Sequence, residues 1–241
     1  MSRSIQFWSH KIGPNPWKNV IVFEELGIPY ATEYLEFGNN AGGVEHPSFL
    51  KKNAAGRVPL IHDPATGMIL TESNVINHYL LDHYDKDDIL SPATEQDKYL
   101  VDKYLGFQSS TQAPFYAQVS LPLHILVGFG WLTFIQSLQM RNKKNFDGVA
   151  HFQHLVKRTL RTIDDELRGK GFLVGGKCTL ADLAFIPWDL MLDIVLQGDA
   201  EAGTASDRKQ LFPNWYNWHV KMIQREAVQK MMKLKEEVNA N

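Results

Sequence analysis

Three short segments in the first half of the chain combine residue types that suit the binding of a peptide. They are GPNPWK at 13–18, Arg57-Val58-Pro59, and Glu72-Ser73. A proline lacks the N–H that the middle of a sheet requires, so Pro59 at the entry of an apolar strand is consistent with a special peptide geometry such as a cis bond. Such a bend would expose the N–H and C=O groups of Val58, and an extended ligand could pair with them as one more strand does.

Glu72 and Ser73 stand where a helix is expected to begin. The free N–H groups and positive dipole end of that helix suit a ligand carboxylate, and the Ser73 hydroxyl adds a donor. The Glu72 carboxylate could then hold a ligand ammonium group. The alternative is that Thr71, Glu72 and Ser73 form only a favourable first turn of the helix.

Many familiar catalytic signatures are missing from the sequence. It has no Walker-type glycine loop, no nucleophile-elbow serine and no two-histidine metalloprotease helix. The nine histidines are scattered, which predicts no metal site. The single cysteine, Cys178, excludes an internal disulfide and agrees with a reducing, cytoplasmic location. Cys178 itself is either a small buried apolar residue or a reactive thiol.

Composition and charge limit the classes of partner that the chain can bind. With 241 residues, 44% hydrophobic and 22% charged, the chain is an ordinary globular one. A formal net charge of -2 gives no net basic field for nucleic acid or anionic membranes. The most apolar stretch, 121–135, is interrupted by Pro122 and is shorter than the roughly 20 residues that span a bilayer. We therefore expect neither nucleic acid nor membrane as a partner, and a core or pocket-wall role for that stretch.

Hydrophobic periodicity predicts a sheet domain followed by a helical one. Residues 1–85 alternate β-rich runs with helical patterns, 86–94 form a charged linker, and 95–241 are helical without a convincing strand. The elements expected in the first part are a strand at 5–8, a helix from near Pro16 to Gly27, a strand at 30–37, a short helix or turn at 47–52, a hairpin of 58–61 with 68–70, and a helix from Thr71. Thr179 and Asp182 form a variant capping box for a helix in the second part.

These segments together resemble the cytosolic glutathione transferases, and within them the fungal nitrogen-regulator-like transferases and the bacterial nu class. The matching segments are GPNPWK followed by EELGIPY, NAAGRVPLI, ESNVI, FQSSTQAPFYAQ, FLVGGKCTLADLAFIPW and FPNWYNWHVKMI. The resemblance implies an α/β thioredoxin-like domain at 1–85, built βαβαββα around a mixed sheet with cis-Pro59. It also implies an all-α domain at 95–241 that forms a hydrophobic-substrate site.

Carried over residue by residue, the resemblance implies a glutathione site. Asn15 matches the asparagine beside the sulfur, in place of the tyrosine or serine of other classes. Val58, in the bend with Pro59, pairs with the cysteinyl backbone. Glu72 and Ser73 bind the γ-glutamyl end, and Arg57 helps with the glycyl carboxylate.

Two departures weaken the match at the glycyl end, because Gly13 replaces a threonine of bacterial relatives and Val44 replaces a polar contact. For the second substrate, we expect a cleft of aromatic and titratable side chains between the domains. Its candidates are His10, Trp17, Phe115, Tyr116, His124 and Trp131. The alternative for each aromatic residue is a place in the core.

The implied function is that of a glutathione transferase, with glutathione as co-substrate and no metal, acting on a small hydrophobic electrophile such as a fungal metabolite. A first alternative is a glutathione-dependent trans/cis double-bond isomerase of secondary metabolism, as in the pseurotin pathway. Further alternatives are a glutathione-dependent disulfide reductase or peroxidase, and a non-catalytic regulator. The family also implies a homodimer that joins the sheet domain of one subunit to the helical domain of the other.

Overall fold

A computed structural model describes residues 4–124 and 148–240, with the backbone alone for 120–124. The first domain contains β1 Ile5–Ser9, α1 Pro14–Leu26, β2 Tyr30–Tyr34, α2 Pro47–Leu50, β3 Leu60–Asp63, β4 Met68–Thr71 and α3 Ser73–Tyr84. Its sheet has the order β2-β1-β3-β4, with β1 parallel to β2 and the other neighbours antiparallel. The Val58–Pro59 bond is cis. The predicted thioredoxin-like domain with a mixed sheet is therefore confirmed.

Several element boundaries differ from the expected ones. Helix α1 begins at Pro14, two residues before the expected start, because a proline is tolerated anywhere in a first turn whose N–H groups have no helical partner. Strand β3 begins only at Leu60, since Pro59 offers no N–H for the ladder. Thr71 was expected to open a helix, but it pairs with Leu60 as the last residue of β4.

A buried carboxylate ties the β3–β4 hairpin to α3. Asp63 accepts hydrogen bonds from the Tyr79 hydroxyl at 2.6 Å and the Tyr84 hydroxyl at 2.5 Å, both on α3. It also accepts the Ala65 N–H in the turn at 2.8 Å. The hairpin and the helix that follows it are thereby fixed to each other, which sets the position of the residues between them.

The second domain contains helices joined by turns and loops, and no strand, within its described residues, 95–124 and 148–240. It contains α4 Glu95–Phe107, a π-helical turn Gln108–Gln112, α5 Ala113–His124, α6 Gly148–Glu166, α7 Leu180–Leu183, α8 Ile186–Asp189, α9 Leu192–Val195, α10 Ala205–Leu211, α11 Pro213–Ile223 and α12 Glu226–Ala240. The capping box of Thr179 and Asp182 is present at the start of α7, as predicted. Among the described helices, none has the length and apolar character of a membrane span. The division at 86–94 stays a prediction.

Helix α12 packs along α1, and one ion pair fixes the contact. Arg225, just before α12, donates through Nε to Glu25 Oε1 at 2.5 Å and through Nη2 to Oε2 at 2.8 Å. The Glu25 side chain is only 9% exposed. Two parallel bonds in a partly buried position are stronger than an exposed pair and fix the geometry.

We expect Arg225→Lys to lower the free energy of unfolding by about 1–3 kcal/mol, because lysine keeps the charge but cannot make both bonds to Glu25. Urea unfolding measures this loss. The matched control is Arg168→Lys, which makes the same change in an exposed pair with Asp165. Equal stability losses in the two variants would contradict the role given to Arg225.

Candidate functional site

A cavity of about 390 Å³ opens beside the first turn of α1. Its wall combines the loop before α1, the loop before β3 and the start of α3. The lining residues are His10, Gly13, Pro14, Asn15, Pro16, Phe37, Val44, Glu45, Asn53, Gly56, Arg57, Val58, Pro59, Thr71, Glu72, Ser73 and Trp188. The three segments singled out in the sequence therefore meet in one place, with a volume typical of small-molecule sites.

Asn15 lies in the first turn of α1, between two prolines. Because Pro14 and Pro16 carry no N–H, the Asn15 N–H is the one backbone donor among these three residues. The Asn15 side chain reaches the helical domain, where its Oδ1 accepts the indole N–H of Trp188 at 3.1 Å. The side-chain amide and the helix end thus lie together at the cavity.

The loop before β3 presents the backbone of Val58. Asn53 donates from Nδ2 to the Arg57 C=O at 2.7 Å and accepts the Ala55 N–H at 3.0 Å, which fixes the turn. Gly56 has φ +59°, and a Cβ there would lie 3.2 Å from the Val44 C=O. Within the described part of the chain, no hydrogen bond engages the N–H or C=O of Val58. Both groups therefore remain available to an extended ligand.

Glu72 adopts a backbone conformation that few non-glycine residues adopt, with φ 67° and ψ 107°. Such strain costs about 1–3 kcal/mol and concentrates at functional sites. The Glu72 side chain makes no capping bond to α3, although a favourable first turn would use one. The first helical bond runs from Ile76 N–H to Glu72 C=O, so the N–H groups before it, including that of Ser73, lack helical partners. This geometry favours the ligand-binding interpretation of Glu72 and Ser73 over the first-turn alternative.

His10 lines the same cavity and fixes the loop before α1. Its Nδ1 accepts the backbone N–H groups of Ile12 at 3.0 Å and Gly13 at 3.3 Å, and its ring packs 3.8 Å from that of Phe37. Burial lowers the pKa of His10 from 6.5 to about 4, so the imidazole is neutral near pH 7. With Nδ1 as acceptor, the proton of the neutral ring belongs on Nε2. His10 is thus unsuited to act as a base.

Lys18 is a buried residue of the segment GPNPWK, and the sequence pattern predicts no individual role for it. Its ammonium group donates to Asn74 Oδ1 at 3.0 Å and to Gln108 Oε1 at 2.9 Å, and it is 2% exposed. Burial lowers the pKa of Lys18 to about 7, against the attraction of Glu72. The sequence signal for Lys18 was its position three residues after Asn15, which places both side chains on the same face of the helix. Nothing in the sequence pointed to its partner Gln108 in the other domain.

Of the expected second-substrate residues whose side chains the structure describes, His10 is the one that lines the cavity, and two others need correction. Trp17 and Tyr116 are fully buried, so neither ring can line an open cleft. Their polar atoms are bonded within the protein: Trp17 donates to the Lys11 C=O at 3.1 Å, and Tyr116 donates to Asp189 at 3.2 Å. Phe115 is half-buried with its ring 6.5 Å from that of Phe152, away from the cavity wall. The side chain of His124 and the whole of Trp131 lie outside the described residues.

Cys178 is 4% exposed, and burial raises the pKa of its thiol well above the ordinary value. The interpretation of Cys178 as a small buried apolar residue is therefore confirmed. Among the described residues, no group of three or more His, Cys, Asp or Glu side chains could hold a metal ion.

Comparison with known families agrees with this architecture. The model of the glutathione S-transferase N-terminal domain matches residues 3–82, and that of the C-terminal domain matches residues 141–226. The chain is 34% identical over 232 residues to the glutathione S-transferase-like protein OpS6 of Beauveria bassiana, with 94% of each chain covered. It therefore belongs to the glutathione S-transferase family.

Two further relatives indicate the class within the family to which the chain is similar. Glutathione S-transferase 1 of Schizosaccharomyces pombe is 33% identical over 227 residues, with 91% of each chain covered. The crystal structure of the glutathione transferase URE2P6 from Phanerochaete chrysosporium, in complex with oxidized glutathione, superposes with a TM-score of 0.80 at 32% identity and covers 98% of each chain. The chain is thus of the fungal Ure2-like and nu-like type expected from its sequence.

The lowered pKa of His10 makes its contribution to stability depend on pH. Between the unfolded pKa of 6.5 and the folded value of about 4, the unfolded chain binds more protons, so His10 contributes most above 6.5 and progressively less as the pH falls through this window. We expect His10→Ala to destabilise the protein more at about pH 7.5 than at about pH 5 in urea unfolding. The exposed His154→Ala is the control, and a loss in His10→Ala that is the same at both pH values would contradict the assignment.

Proposed function

We propose that this protein is an enzyme that binds glutathione in the cavity, activates it as a thiolate and directs it at a small hydrophobic electrophile, such as a fungal metabolite. One observation carries the proposal. The cavity joins the Asn15 amide at the start of α1 to the unengaged Val58 backbone and to the first turn of α3. A tripeptide with a thiol in its middle residue has groups that match these donors and acceptors in the same spatial order.

In this assignment each part of glutathione meets a group of matching chemistry. The cysteinyl backbone pairs with the N–H and C=O of Val58 as a strand would. The γ-glutamyl carboxylate meets the start of α3 and the Ser73 hydroxyl, while its ammonium group meets Glu72. Arg57, exposed at the mouth of the cavity, attracts the glycyl carboxylate.

The chemical task is then to ionise a thiol. A thiol with a pKa near 8.5 is only a few per cent thiolate at pH 7, and the thiolate is the nucleophile. Lowering that pKa by about two units requires about 2.7 kcal/mol of preferential stabilisation. A hydrogen bond from Asn15 to the charged sulfur supplies about 1.5–3 kcal/mol, and the positive end of α1 adds about 0.3–1 kcal/mol. No dedicated base is required.

Three outcomes follow once the thiolate has added to an electrophile, and product analysis separates them. Conjugation adds the mass of the tripeptide to the product. Double-bond isomerisation leaves the mass unchanged and consumes no glutathione. Reduction of a disulfide or peroxide would need a second glutathione, because the buried Cys178 cannot resolve a mixed disulfide. Mass spectrometry after incubation with glutathione and a panel that includes conjugated polyenes assigns the reaction, and binding without any turnover would instead support the regulator.

We also propose a homodimer, for which the surface of β4, α3 and α4 provides the support. Met68 and Ile69 on the edge strand, Val75 on α3, and Tyr99 and Leu100 on α4 are large apolar residues that are 43–69% exposed. The helices α3 and α4 are joined by the contact of His78 Nε2 with Asp102 Oδ1 at 3.0 Å. Val75 precedes His78 by three residues and Tyr99 precedes Asp102 by three, so all four share one face.

We expect Asn15→Ala to raise the pKa of enzyme-bound glutathione by about one unit or more, because the side-chain donor to the sulfur is lost. Ultraviolet titration of the thiolate measures this pKa, and turnover at neutral pH should fall with it. An unchanged titration together with full activity would rule out Asn15 as the group that activates the thiol.

Sedimentation tests the dimer. We expect the wild-type protein to sediment as a dimer and Val75→Asp combined with Tyr99→Asp to sediment as a monomer, because two charges would be buried without partners. Ile194→Asp is the control, since Ile194 is 41% exposed on α9 in the helical domain. A wild-type protein that sediments as a monomer would contradict the proposal.

A further inference from the structure

Trp188 determines which way the amide of Asn15 faces. The indole Nε1–H is a donor and has no acceptor capacity, so the Asn15 atom that lies 3.1 Å from it is the carbonyl oxygen Oδ1. Because the oxygen and the NH₂ group of an amide diverge from the same carbon atom, this bond turns the two N–H donors of Asn15 away from Trp188. Trp188 is also the one lining residue of the cavity that comes from the helical domain, as far as the described residues show.

The direction of the amide decides the sign of its effect on a bound thiol. An N–H group that faces the sulfur stabilises the thiolate and lowers its pKa, whereas a carbonyl oxygen in the same place repels the thiolate and raises it. An asparagine side chain has both groups at nearly the same distance from its backbone. A neighbour that accepts only one of the two orientations is therefore needed for reliable activation.

Trp188 is itself held firmly enough to provide that constraint. It is 6% exposed and lies in α8, where its N–H bonds the Phe185 C=O at 3.1 Å. The next residue, Asp189, is buried and accepts hydrogen bonds from Gln112 at 2.8 Å and from the Trp215 indole at 3.0 Å. Helix α8 is thus anchored by side chains from the π-helical turn and α11.

We propose that Trp188 is a positioning residue that orients the Asn15 amide with its N–H groups toward the sulfur of bound glutathione. The proposal rests on the proposed function, since it concerns the same thiol. Trp188 acts through Asn15 and makes no direct contribution to the charge of the sulfur. The helical domain therefore contributes to thiol activation as well as to the binding of a second substrate.

The test replaces Trp188 with phenylalanine, which keeps an aromatic ring and removes the donor. We expect Trp188→Phe to raise the pKa of bound glutathione by about half to one unit, which lowers the thiolate fraction below that pKa about threefold to tenfold. Affinity for glutathione should change little, and the loss of kcat should disappear at high pH, where the thiol ionises unaided. The control is Trp218→Phe, which removes an equally buried indole bond, to Asp182 at 2.8 Å, far from Asn15 in the bonding network.

A double-mutant cycle shows whether Trp188 acts through Asn15. In an Asn15→Ala background, Trp188→Phe should cause no further rise in the thiol pKa, because no amide remains to be oriented. Additive effects would overturn the proposal. So would an unchanged thiol pKa in Trp188→Phe alone, or equal pKa rises in Trp188→Phe and Trp218→Phe.

Two controls keep the result interpretable. If the proposed function is wrong, the wild-type protein shows no bound thiol with a lowered pKa. If only the role of Trp188 is wrong, the wild-type titration and the effect of Asn15→Ala remain as expected.

If Trp188→Phe does not fold, nuclear magnetic resonance of wild-type protein labelled with ¹⁵N-tryptophan replaces the titration of that variant. Addition of glutathione should leave the hydrogen-bonded Trp188 indole resonance in place, and a shift to the position it has in Asn15→Ala would overturn the proposal.

Discussion

The middle of helix α1, residues 16–23, is buried on all sides, and much of the structure follows from bonding its polar residues. Pro16 to Phe23 form an unbroken run of buried residues, and Lys18 and Asn19 lie in the middle of it. A buried donor without a partner costs several kcal/mol, so the Lys18 ammonium and the Asn19 NH₂ group must be bonded inside the protein, although Asn19 Oδ1 has no partner among the described residues. Lys18 bonds Asn74 and Gln108, and Asn19 bonds the Ser73 C=O at 2.8 Å. These bonds tie α1 to the start of α3, where the cavity ends.

The same requirement links the two domains. Gln108, the acceptor of Lys18, donates to Gln112 at 3.1 Å within the π-helical turn, a type of turn that often occurs at functional sites. Gln112 in turn donates to Asp189, whose pKa burial raises to about 7. A continuous line of hydrogen bonds therefore runs from α1 through the π-helical turn to α8, and Trp188 returns from α8 to Asn15 on α1. These hydrogen bonds fix the position of the first turn of α1 relative to the helical domain.

The part of the site made by local sequence was predictable, and the part made by tertiary contact was not. Val58 and Ser73 could be named because a proline at the entry of a strand and the start of a helix each have a recognisable pattern, whereas Asn15 was assigned through the resemblance to the glutathione transferases. Lys18 and Trp188 could not, because their partners lie 90 and 173 residues away along the chain.

The incorrect predictions for the second-substrate cleft also arise from tertiary contacts that the sequence does not show. Trp17 and Tyr116 were expected at a cleft because they are aromatic and lie near site segments, yet a large ring between two domains serves equally well as core. The fold itself needed less information. β-rich runs that alternate with helical patterns predicted the order of elements in the first domain, and helical periodicity predicted a helical second domain, whereas the mixed thioredoxin-like sheet followed from the resemblance. Only the starts and ends of elements in the first domain differ, where prolines and a left-handed Glu72 override the pattern.

A neutral donor such as Asn15 suits thiol activation better than a cation would. Lowering a thiol pKa from about 8.5 to about 6.5 raises the thiolate fraction at pH 7 about 25-fold, while the nucleophilicity of that thiolate falls about sixfold to tenfold. A further two units would add almost no thiolate and would cost another sixfold to tenfold in nucleophilicity. The ammonium group of Lys18 is bonded to Asn74 and Gln108, and His10 is neutral near pH 7 because burial lowers its pKa to about 4. In the proposed mechanism, Lys18 and His10 therefore leave the stabilisation of the sulfur to the Asn15 amide and the start of α1, which is close to the amount of stabilisation that maximises the rate.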